Sequence, residues 1–459
     1  RIGAGEFTLA NGTNSWSATV ALTPGTNVVE VKSIDLSGNE SAVLSRTFFY
    51  VVTGPLTVEI DLDRGSTTLT NGQLLELGKN YSITAKPNSG YKFQDWTGDV
   101  NSQEPKISFM MSSNFLLQPN FVTNPFIAIK GAYSGLLSNT NSVTPGSSGY
   151  FTVTLTDSGS FSGNFWLGGV RYSTSGEFGL NGTADKTIVT GDDAVIFHLK
   201  VGFDGRLLGT LLHKGMISDL FAELAQTTTN AANTKYTLLI PPSADPATAP
   251  GGYGYGTVSV DTRGRLQFSG TLSDGTYVSQ STTVSATGRW PLYVSLYRGQ
   301  GVLLGWLSFA DEPDSDLRGD VTWDKLPGKN GKFYTNGFTI AGPALGSLYV
   351  APPRGSTVWN TTNPVNGLLE FTGGNLTTPL INVFLWNTNN KVTVTSSNKT
   401  TLYVNSSSGL LNGNFVHPDT RKNTSLKGAI LQKALWGGGF FLGTNQSGAF
   451  IVQPDPVED

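Results

Sequence analysis

The sequence of 459 residues contains no cysteine, which excludes disulfides, zinc–thiolate sites and thiol catalysis. Charge is also scarce, because 14% of the residues are charged against roughly 25% in an average globular protein. The formal net charge of −3 gives no electrostatic basis for binding nucleic acid or an anionic membrane surface. Runs of 18 apolar residues are absent as well, so we expect no membrane insertion.

Neutral polar and aromatic residues are what the chain has instead. Glycine is abundant, with 56 residues, and Ser, Thr and Asn crowd the connecting segments. Solubility through neutral polar side chains is typical of extracellular β-proteins and predicts an extracellular or cell-surface location. The apolar fraction of 38%, with nine Trp, 15 Tyr and 25 Phe, is sufficient for packed cores. The length predicts three or four domains.

Residues 1–53 alternate apolar residues between Gly and Asn turns, which predicts short antiparallel strands within 11–20, 28–35 and 46–52. This segment resembles a bacterial immunoglobulin-like repeat that has lost its first strands, because a complete sandwich needs about seven. We interpret the start at Arg1, without Met or signal peptide, as a truncation. Alternatively, a strand from elsewhere completes the sheet.

Residues 54–122 contain closely spaced aromatic residues. Tyr91, Phe93 and Trp96 precede Gly98, and we expect Phe93 and Trp96 to anchor a core too small to be stable without large aromatic area. The segment resembles the divergent internalin-type B repeat of bacterial surface proteins. The resemblance implies a spacer or adhesive module on a cell surface.

An internal repeat runs through residues 123–459. A strand, a Gly-containing turn and a second strand recur at 152–165, 257–272 and 401–415, so each copy is predicted to be a β-hairpin. Meandering strands of this kind predict barrels or sandwiches. In-strand glycines fit places where a barrel strand bends or where an opposing side chain fills the gap. These glycines are Gly209, Gly305 and Gly443.

The fold class expected from these patterns is all-β: small β-domains followed by two tandem antiparallel β-barrels or sandwiches with one short helix. The barrels are placed at 125–310 and 321–459, because the acidic run 311–320 interrupts the strand pattern. Residues Met216–Leu224 are predicted to form the helix, whose apolar stripe would cap a barrel end.

The region 130–452 also resembles an unnamed β-rich C-terminal region of secreted proteins of Verrucomicrobia-type bacteria. That resemblance implies secretion and carries no known activity. The motifs that carry it lie at 250–256, 290–297, 371–376 and 438–448.

Residues that could carry catalysis are few. The three histidines do not stand at metal-ligand spacing, and no Gly-x-Ser-x-Gly elbow accompanies them; they are His198, His213 and His417. Carboxylate pairs, the remaining route to hydrolysis of a glycosidic bond, stand mostly beside turn residues. These pairs are Asp61/Asp63, Asp95/Asp99 and Asp192/Asp193. We predict no catalytic residue and no cofactor.

Two weaker binding hypotheses concern the acidic run and the tryptophans. The acidic run could hold Ca²⁺ through Asp311, Asp314 and Asp316, but it lacks the glycine and the terminal glutamate of an EF-hand loop, and a solvated linker is the alternative.

Four tryptophans could stack on sugars, although each lies in a strand pattern that a core role also explains. They are Trp166, Trp359, Trp386 and Trp436.

Taken together, the sequence favours a non-enzymatic extracellular structural or adhesive surface protein that could self-assemble by strand complementation. A glycan-binding module of a secreted polysaccharide-degrading system is the first alternative, and a carboxylate-based hydrolase is the second. The expected partner is another copy of the chain or an extracellular polysaccharide.

Overall fold

The computed structural model describes residues 1–139, 143–191, 193–227, 233–328, 332–396 and 398–455. The described chain is built almost entirely of β-strands, which confirms the all-β class. It forms two compact units, Arg1–Asn124 and Pro125–Asp459. None of the described residues forms a helix long and apolar enough to span a membrane.

The first unit contains ten short strands in four small sheets. Two sheets are pairs, β1-β2 and β3-β6, and two have three strands, β4-β10-β8 and β5-β7-β9. The strands are β1 Gly25–Val31, β2 Leu44–Tyr50, β3 Thr53–Pro55, β4 Thr57–Val58, β5 Gly65–Thr67, β6 Leu74–Glu76, β7 Asn80–Pro87, β8 Tyr91–Gly98, β9 Lys106–Met110 and β10 Leu116–Thr123.

The core of this unit lies in strands β4 to β10 and is centred on aromatic side chains. Trp96 is fully buried, and its indole N–H donates to the carbonyl oxygen of Pro105 at 3.2 Å. The ring of Phe93 lies 6.0 Å from those of both Trp96 and Phe121. The predicted aromatic anchor of residues 54–122 is therefore confirmed.

The second unit contains three sheets of eight strands each. The first sheet is β11 Gly131–Ser138, β12 Gly149–Leu155, β13 Ser160–Leu167, β14 Val170–Glu177, β15 Thr183–Thr190, β16 Asp193–Val201, β17 Arg206–His213 and β18 Met216–Leu224. The second is β19 Thr234–Ile240, β20 Gly254–Val260, β21 Arg265–Thr271, β22 Tyr277–Thr283, β23 Arg289–Leu296, β24 Gly301–Phe309, β25 Leu317–Lys325 and β26 Phe338–Leu348. The third is β27 Val365–Gly373, β28 Leu380–Trp386, β29 Val392–Thr395, β30 Thr401–Asn405, β31 Leu410–Val416, β32 Asn423–Leu431, β33 Trp436–Leu442 and β34 Ser447–Pro454.

Each of these sheets is an antiparallel meander that curls into a nearly closed barrel. The first and last strands pair with each other, β11 with β18, β19 with β26 and β27 with β34. One break per sheet remains in the ladder, between β14 and β15, between β22 and β23, and between β29 and β30. Up-and-down closure of this kind leaves few free strand edges.

Strand alternation separates the barrel interiors from their outer surfaces. In β12, Phe151, Val153 and Leu155 are buried in the first barrel, while Tyr150 and Thr152 point outward. Because side chains alternate across a strand, the same period gives each barrel a separate apolar core.

The repeated hairpins predicted from the sequence are present as β12–β13, β20–β21 and β30–β31. The grouping differs from the prediction, because the chain has three barrel-like sheets where the sequence favours two. The acidic run 311–320 connects β24 to β25 through its residues 311–316 and begins β25 with its last four residues; the two strands pair through Phe309 and Leu317 in the second sheet. It is therefore a hairpin connection inside one sheet.

The short helix predicted at Met216–Leu224 is wrong, because this segment is strand β18. Lys214 and Gly215 have φ of 50° and 76° and join β17 to β18 in a two-residue hairpin, in which His213 pairs with Met216. Positive φ at both central residues is the geometry of a type I′ turn. The alternation of Ser218, Leu220 and Ala222 toward the interior overrides the helical spacing of the other apolar residues.

At Gly209 and Gly305 the backbone of the adjacent strand, rather than an opposing side chain, occupies the space of a side chain, whereas Gly443 follows the end of β33 at Leu442 and does not lie in a strand. A Cβ at Gly209 would lie 2.1 Å from the carbonyl oxygen of His198 on β16, and one at Gly305 would lie 2.2 Å from that of Asp320 on β25. Adjacent strands approach closely at these positions, which explains the absence of a side chain there.

Candidate functional site

The two-stranded sheet β1-β2 differs from the other sheets because it has no apolar core of its own. The strands pair antiparallel from Gly25 opposite Tyr50 to Val31 opposite Leu44. All seven residues of β2 are exposed, including Phe48 at 44% and Phe49 at 73%. Because adjacent residues of a strand point to opposite faces, both faces of this sheet carry an uncovered aromatic side chain.

One edge of this sheet is already occupied. The backbone N–H of Gly3 donates to the carbonyl oxygen of Val28, and that of Glu30 donates to the carbonyl oxygen of Arg1, both at 2.9 Å. The guanidinium Nε of Arg1 also donates to the Glu30 carboxylate at 2.6 Å. Residues 1–3 thus cover the outer edge of β1.

The opposite edge, formed by β2 and called here the open edge, has no neighbouring strand among the residues described. Val28 and Glu30 direct their backbone N–H and C=O groups toward residues 1–3 and therefore away from β2. Their partners on β2 are Thr47 and Ser45, so these two pairs are non-hydrogen-bonded pairs of the β1-β2 ladder. By the same alternation, Ser45, Thr47 and Phe49 direct their N–H and C=O groups outward at the open edge. An edge of this kind accepts a further strand through main-chain hydrogen bonds.

The chain segment that follows this sheet can be assigned by comparison with known families. Residues 56–125 match the family model of the divergent InlB B-repeat domain. The B-repeat contains the aromatic core around Trp96, so the resemblance predicted for this segment is confirmed. The immunoglobulin-like character of residues 1–53 and the relation of residues 130–452 to Verrucomicrobia-type proteins stay predictions. No curated protein matches the chain.

The solved structures that match this chain share very little sequence with it and have low TM-scores. Transferrin-binding protein B of Haemophilus parasuis Hp5 is 7% identical, covers 85% of both chains and has a TM-score of 0.20. Isotype 1 transferrin-binding protein B of serogroup B Neisseria meningitidis is 10% identical, covers 96% of this chain and 86% of its own, and has a TM-score of 0.19. A DUF3598-family protein of unknown function from Nostoc punctiforme PCC 73102 is 9% identical, covers 73% and 98%, and has a TM-score of 0.16.

The four tryptophans considered for sugar stacking all pack against other aromatic side chains. Trp359 and Trp386 are buried in the third barrel, with ring centroids 4.7 Å apart. Trp166 is half-buried beside Tyr150, at 5.5 Å. Trp436 is half-buried beside Tyr253, also at 5.5 Å. None of the four residues is exposed.

The acidic run considered for Ca²⁺ binding encloses an ammonium group. Lys433, from the turn between β32 and β33, donates to the carboxylates of Asp311 and Asp316, the latter at 3.0 Å. These contacts lower the pKa of Asp311 and raise that of Lys433. Asp314 lies 3.9 Å from Arg318. Within the described residues, no group of three or more His, Asp or Glu side chains is arranged to hold a metal.

The three histidines have separate environments. Exposed His198 is hydrogen-bonded to Asp185 at 2.8 Å. Buried His417 lies 3.1 Å from the carbonyl oxygen of Gly374. Buried His213 contacts Asp193 through Nε2 at 2.8 Å, a contact that lowers the pKa of Asp193.

The carboxylate pairs are engaged in local hydrogen bonds. Asp61 accepts from the backbone N–H of Asp63 at 3.1 Å, Asp95 accepts from the Asn120 amide at 2.7 Å, and Asp99 accepts from the backbone N–H of Leu116 at 2.7 Å. Asp192 lies outside the described residues. These contacts are typical of turn and cross-strand capping by Asp.

Sequence reasoning missed two buried acids, Glu223 on β18, which pairs with Arg289, and Asp324 on β25. The Oδ1 atom of Asp324 accepts from the Thr339 hydroxyl at 2.6 Å, whereas Oδ2 is buried without a partner among the described atoms. Burial raises the pKa of this carboxyl group. In the sequence, Asp324 stands between Trp323 and Lys325, and nothing in this pattern distinguishes it from a surface acid. Its burial becomes visible only in the structure, where the last three residues of β25 are all buried.

Proposed function

We propose that the chain is a non-enzymatic, surface-associated structural or adhesive protein that associates with another copy of itself by strand addition at the open edge. The observation that carries this proposal is β2, a seven-residue strand that is paired on one side only and exposed along its whole length. An isolated two-stranded sheet is marginally stable in water. Addition of a strand would therefore stabilise this sheet as well as join two chains.

The open edge is complementary to itself. Antiparallel pairing centred on Thr47 would place Ser45 opposite Phe49 of the other copy, and both residues direct their backbone groups outward. In the same register Arg46 would face Phe48 rather than another Arg, so like charges are not opposed. Favourable cross-strand pairs of this kind stabilise sheets.

The surface-associated and non-enzymatic parts of the proposal rest on the B-repeat and on the candidate acids. The B-repeat follows the open edge directly in the chain. The candidate carboxylates serve turns, cross-strand contacts and salt bridges. A glycosidase acid, by contrast, needs a raised pKa beside a second carboxylate across a substrate site.

Light scattering behind size-exclusion chromatography over a wide concentration range tests the association. The informative variant is Thr47→Pro, because proline removes an outward N–H without removing a ladder bond to β1. Thr47→Val is the matched control, since it keeps this N–H and the β-branched shape. We expect species larger than 48.8 kDa that grow with concentration in the parent and in Thr47→Val, and their loss in Thr47→Pro.

A parent chain that stays monomeric at every concentration would overturn self-association. So would assembly that Thr47→Pro leaves unchanged, because the contact would then lie elsewhere on the molecule.

A further inference from the structure

A cleft of about 690 Å³ lies between the first and second barrels. Strands β11 and β12 of the first barrel form one wall, and β20, β21 and β22 of the second form the other. The polar wall residues Thr152, Ser259 and Gln267 belong to the outward-pointing sets of these strands, whereas the lining residues Tyr133, Val153 and Leu266 belong to the barrel cores. The cleft volume falls within the range of small-molecule sites, about 300–1,000 Å³.

Hydrogen bonds between the barrels fix the floor of the cleft. The Tyr150 hydroxyl and the Thr282 hydroxyl are 2.8 Å apart, and the Ser134 and Thr283 hydroxyls are 3.5 Å apart. The Tyr150 ring is also stacked near Tyr293, at 6.4 Å with an interplanar angle of 14°. These contacts fix the two barrels relative to each other, so the cleft exists without a ligand, as expected of a largely pre-formed binding site.

Uncommitted neutral side chains line the walls. Five lining residues with hydroxyl or amide groups make no side-chain hydrogen bond within the described part of the chain. They are Thr152, Thr154, Ser259, Gln267 and Ser281. Each can both donate and accept hydrogen bonds. Because these groups lie on two facing walls, a ligand in the cleft can form hydrogen bonds with both walls at once.

The charges at this cleft cancel each other. Asp261 and Arg265 are the two charged residues among the described lining, and Arg265 Nε donates to Asp261 Oδ2 at 2.6 Å. The pKa of Asp261 is lowered by hydrogen bonds from the Arg265 backbone and side chain. Since Asp261 offsets the charge of Arg265, the described lining has no net positive charge to attract a phosphate or carboxylate.

We infer that this cleft binds a short neutral oligosaccharide. Sugar hydroxyls are donors and acceptors at once, which matches the Ser, Thr and Gln groups on both walls. A lipid would leave these polar groups unpaired, which is costly, and an anionic ligand would meet a lining with no net positive charge. The site is separate from the open edge and does not depend on self-association.

Isothermal titration calorimetry on the whole chain tests the inference. The probes are neutral tri- to hexasaccharides of α-glucan, β-glucan, mannan and xylan, with an oligogalacturonate and a Ser/Thr-rich neutral peptide for comparison. We expect saturable binding of at least one neutral oligosaccharide. The double variant Thr154→Ala/Gln267→Ala, which trims both walls, should weaken it about tenfold or more.

Ser279→Ala is the matched control, because Ser279 is exposed on β22 but does not line the cleft; binding should be unchanged. Ser281→Trp, which would fill the cleft, should abolish binding while circular dichroism and the unfolding midpoint show a folded protein. The inference is overturned if no neutral oligosaccharide binds at millimolar concentration. It is also overturned if the wall variants bind like the parent, or if the acidic sugar or the peptide binds more tightly.

Discussion

Asp324 shows how a single buried carboxylate makes stability depend on pH. One oxygen is satisfied by Thr339, and the other has no partner in the described structure. Burial favours the neutral form and raises the pKa of Asp324. The folded state therefore holds this proton at a pH where the unfolded chain has lost it. By linkage, this group destabilises the fold progressively as pH rises from the usual aspartate range through the raised pKa.

We expect Asp324→Asn to remove this contribution, because an amide keeps the acceptor for Thr339 and never ionises. The free energy of unfolding in urea, measured from pH 4 to pH 8, should exceed that of the parent by a margin that grows with pH and then levels off. Asp204→Asn, at an exposed turn, controls for the loss of a surface charge. A margin that is constant across the pH range would contradict this account.

At the scale of elements, the turn between β17 and β18 brings residues 216–224 into register with β17. Gly215 has φ of 76°, a conformation that costs an L-residue roughly 1–2 kcal/mol. We expect Gly215→Ala to destabilise the second unit by about that amount in urea unfolding. Gly342→Ala is the control, since its Cβ would make an ordinary 3.5 Å contact with Pro241, and its effect should be close to zero. Equal effects would argue against this role of the turn.

Elements with strong local signals could be predicted from the sequence. The spacing of Tyr91, Phe93 and Trp96 gave the B-repeat, and alternation around glycine turns gave the repeated hairpins. The strand at 216–224 could not be predicted, because its apolar residues fit helical and strand periods and pairing with β11 and β17 decides between them. The number of barrels was missed for a related reason: β30–β31 resembles the earlier hairpins locally, but in chain order its strands are the fourth and fifth of their barrel, not the second and third.

The two candidate sites also differ in how far the sequence predicts them. The open edge was partly predictable, since residues 1–53 contain too few strands for a sandwich and 46–52 read as the last of them. The cleft was not predictable, because Thr154 and Gln267 are ordinary outward-facing strand residues until two barrels pack side by side. Such a site depends on tertiary packing that no local pattern records.

At the scale of the second unit, the first and second barrels are joined by polar as well as apolar contacts. Glu223 on β18 is buried, with its side chain 4% exposed, and accepts from Arg289 on β23 at 3.2 Å. Arg289 also lies 4.5 Å from the centre of the Trp306 ring. Beside this pair, Leu136, Tyr293 and neighbouring apolar residues form a cluster between the two barrels. These contacts predict that the two barrels unfold together.

We expect Arg289→Ala to weaken this junction strongly, because it leaves the Glu223 carboxylate buried without its charged partner, with the Thr287 hydroxyl still donating to its other oxygen. Loss of one member of a buried pair costs about 3–5 kcal/mol, and partial exposure of Arg289 places the expected loss near the lower end. Differential scanning calorimetry should show the shared transition of the two barrels splitting in two. Lys130→Ala, which breaks an exposed pair with Asp157, should cost less than about 1 kcal/mol.

The double variant Glu223→Gln/Arg289→Met separates loss of the contact from burial of a lone charge. It removes both charges and keeps side chains of similar length, so most of the lost stability should return. If the double variant were as unstable as Arg289→Ala, the stacking of Arg289 on Trp306 would be the dominant contact instead. If Arg289→Ala melted in one unshifted transition, the apolar cluster and the hydrogen bonds at the cleft would suffice to hold the barrels together, and the Glu223–Arg289 pair would contribute nothing to their coupling.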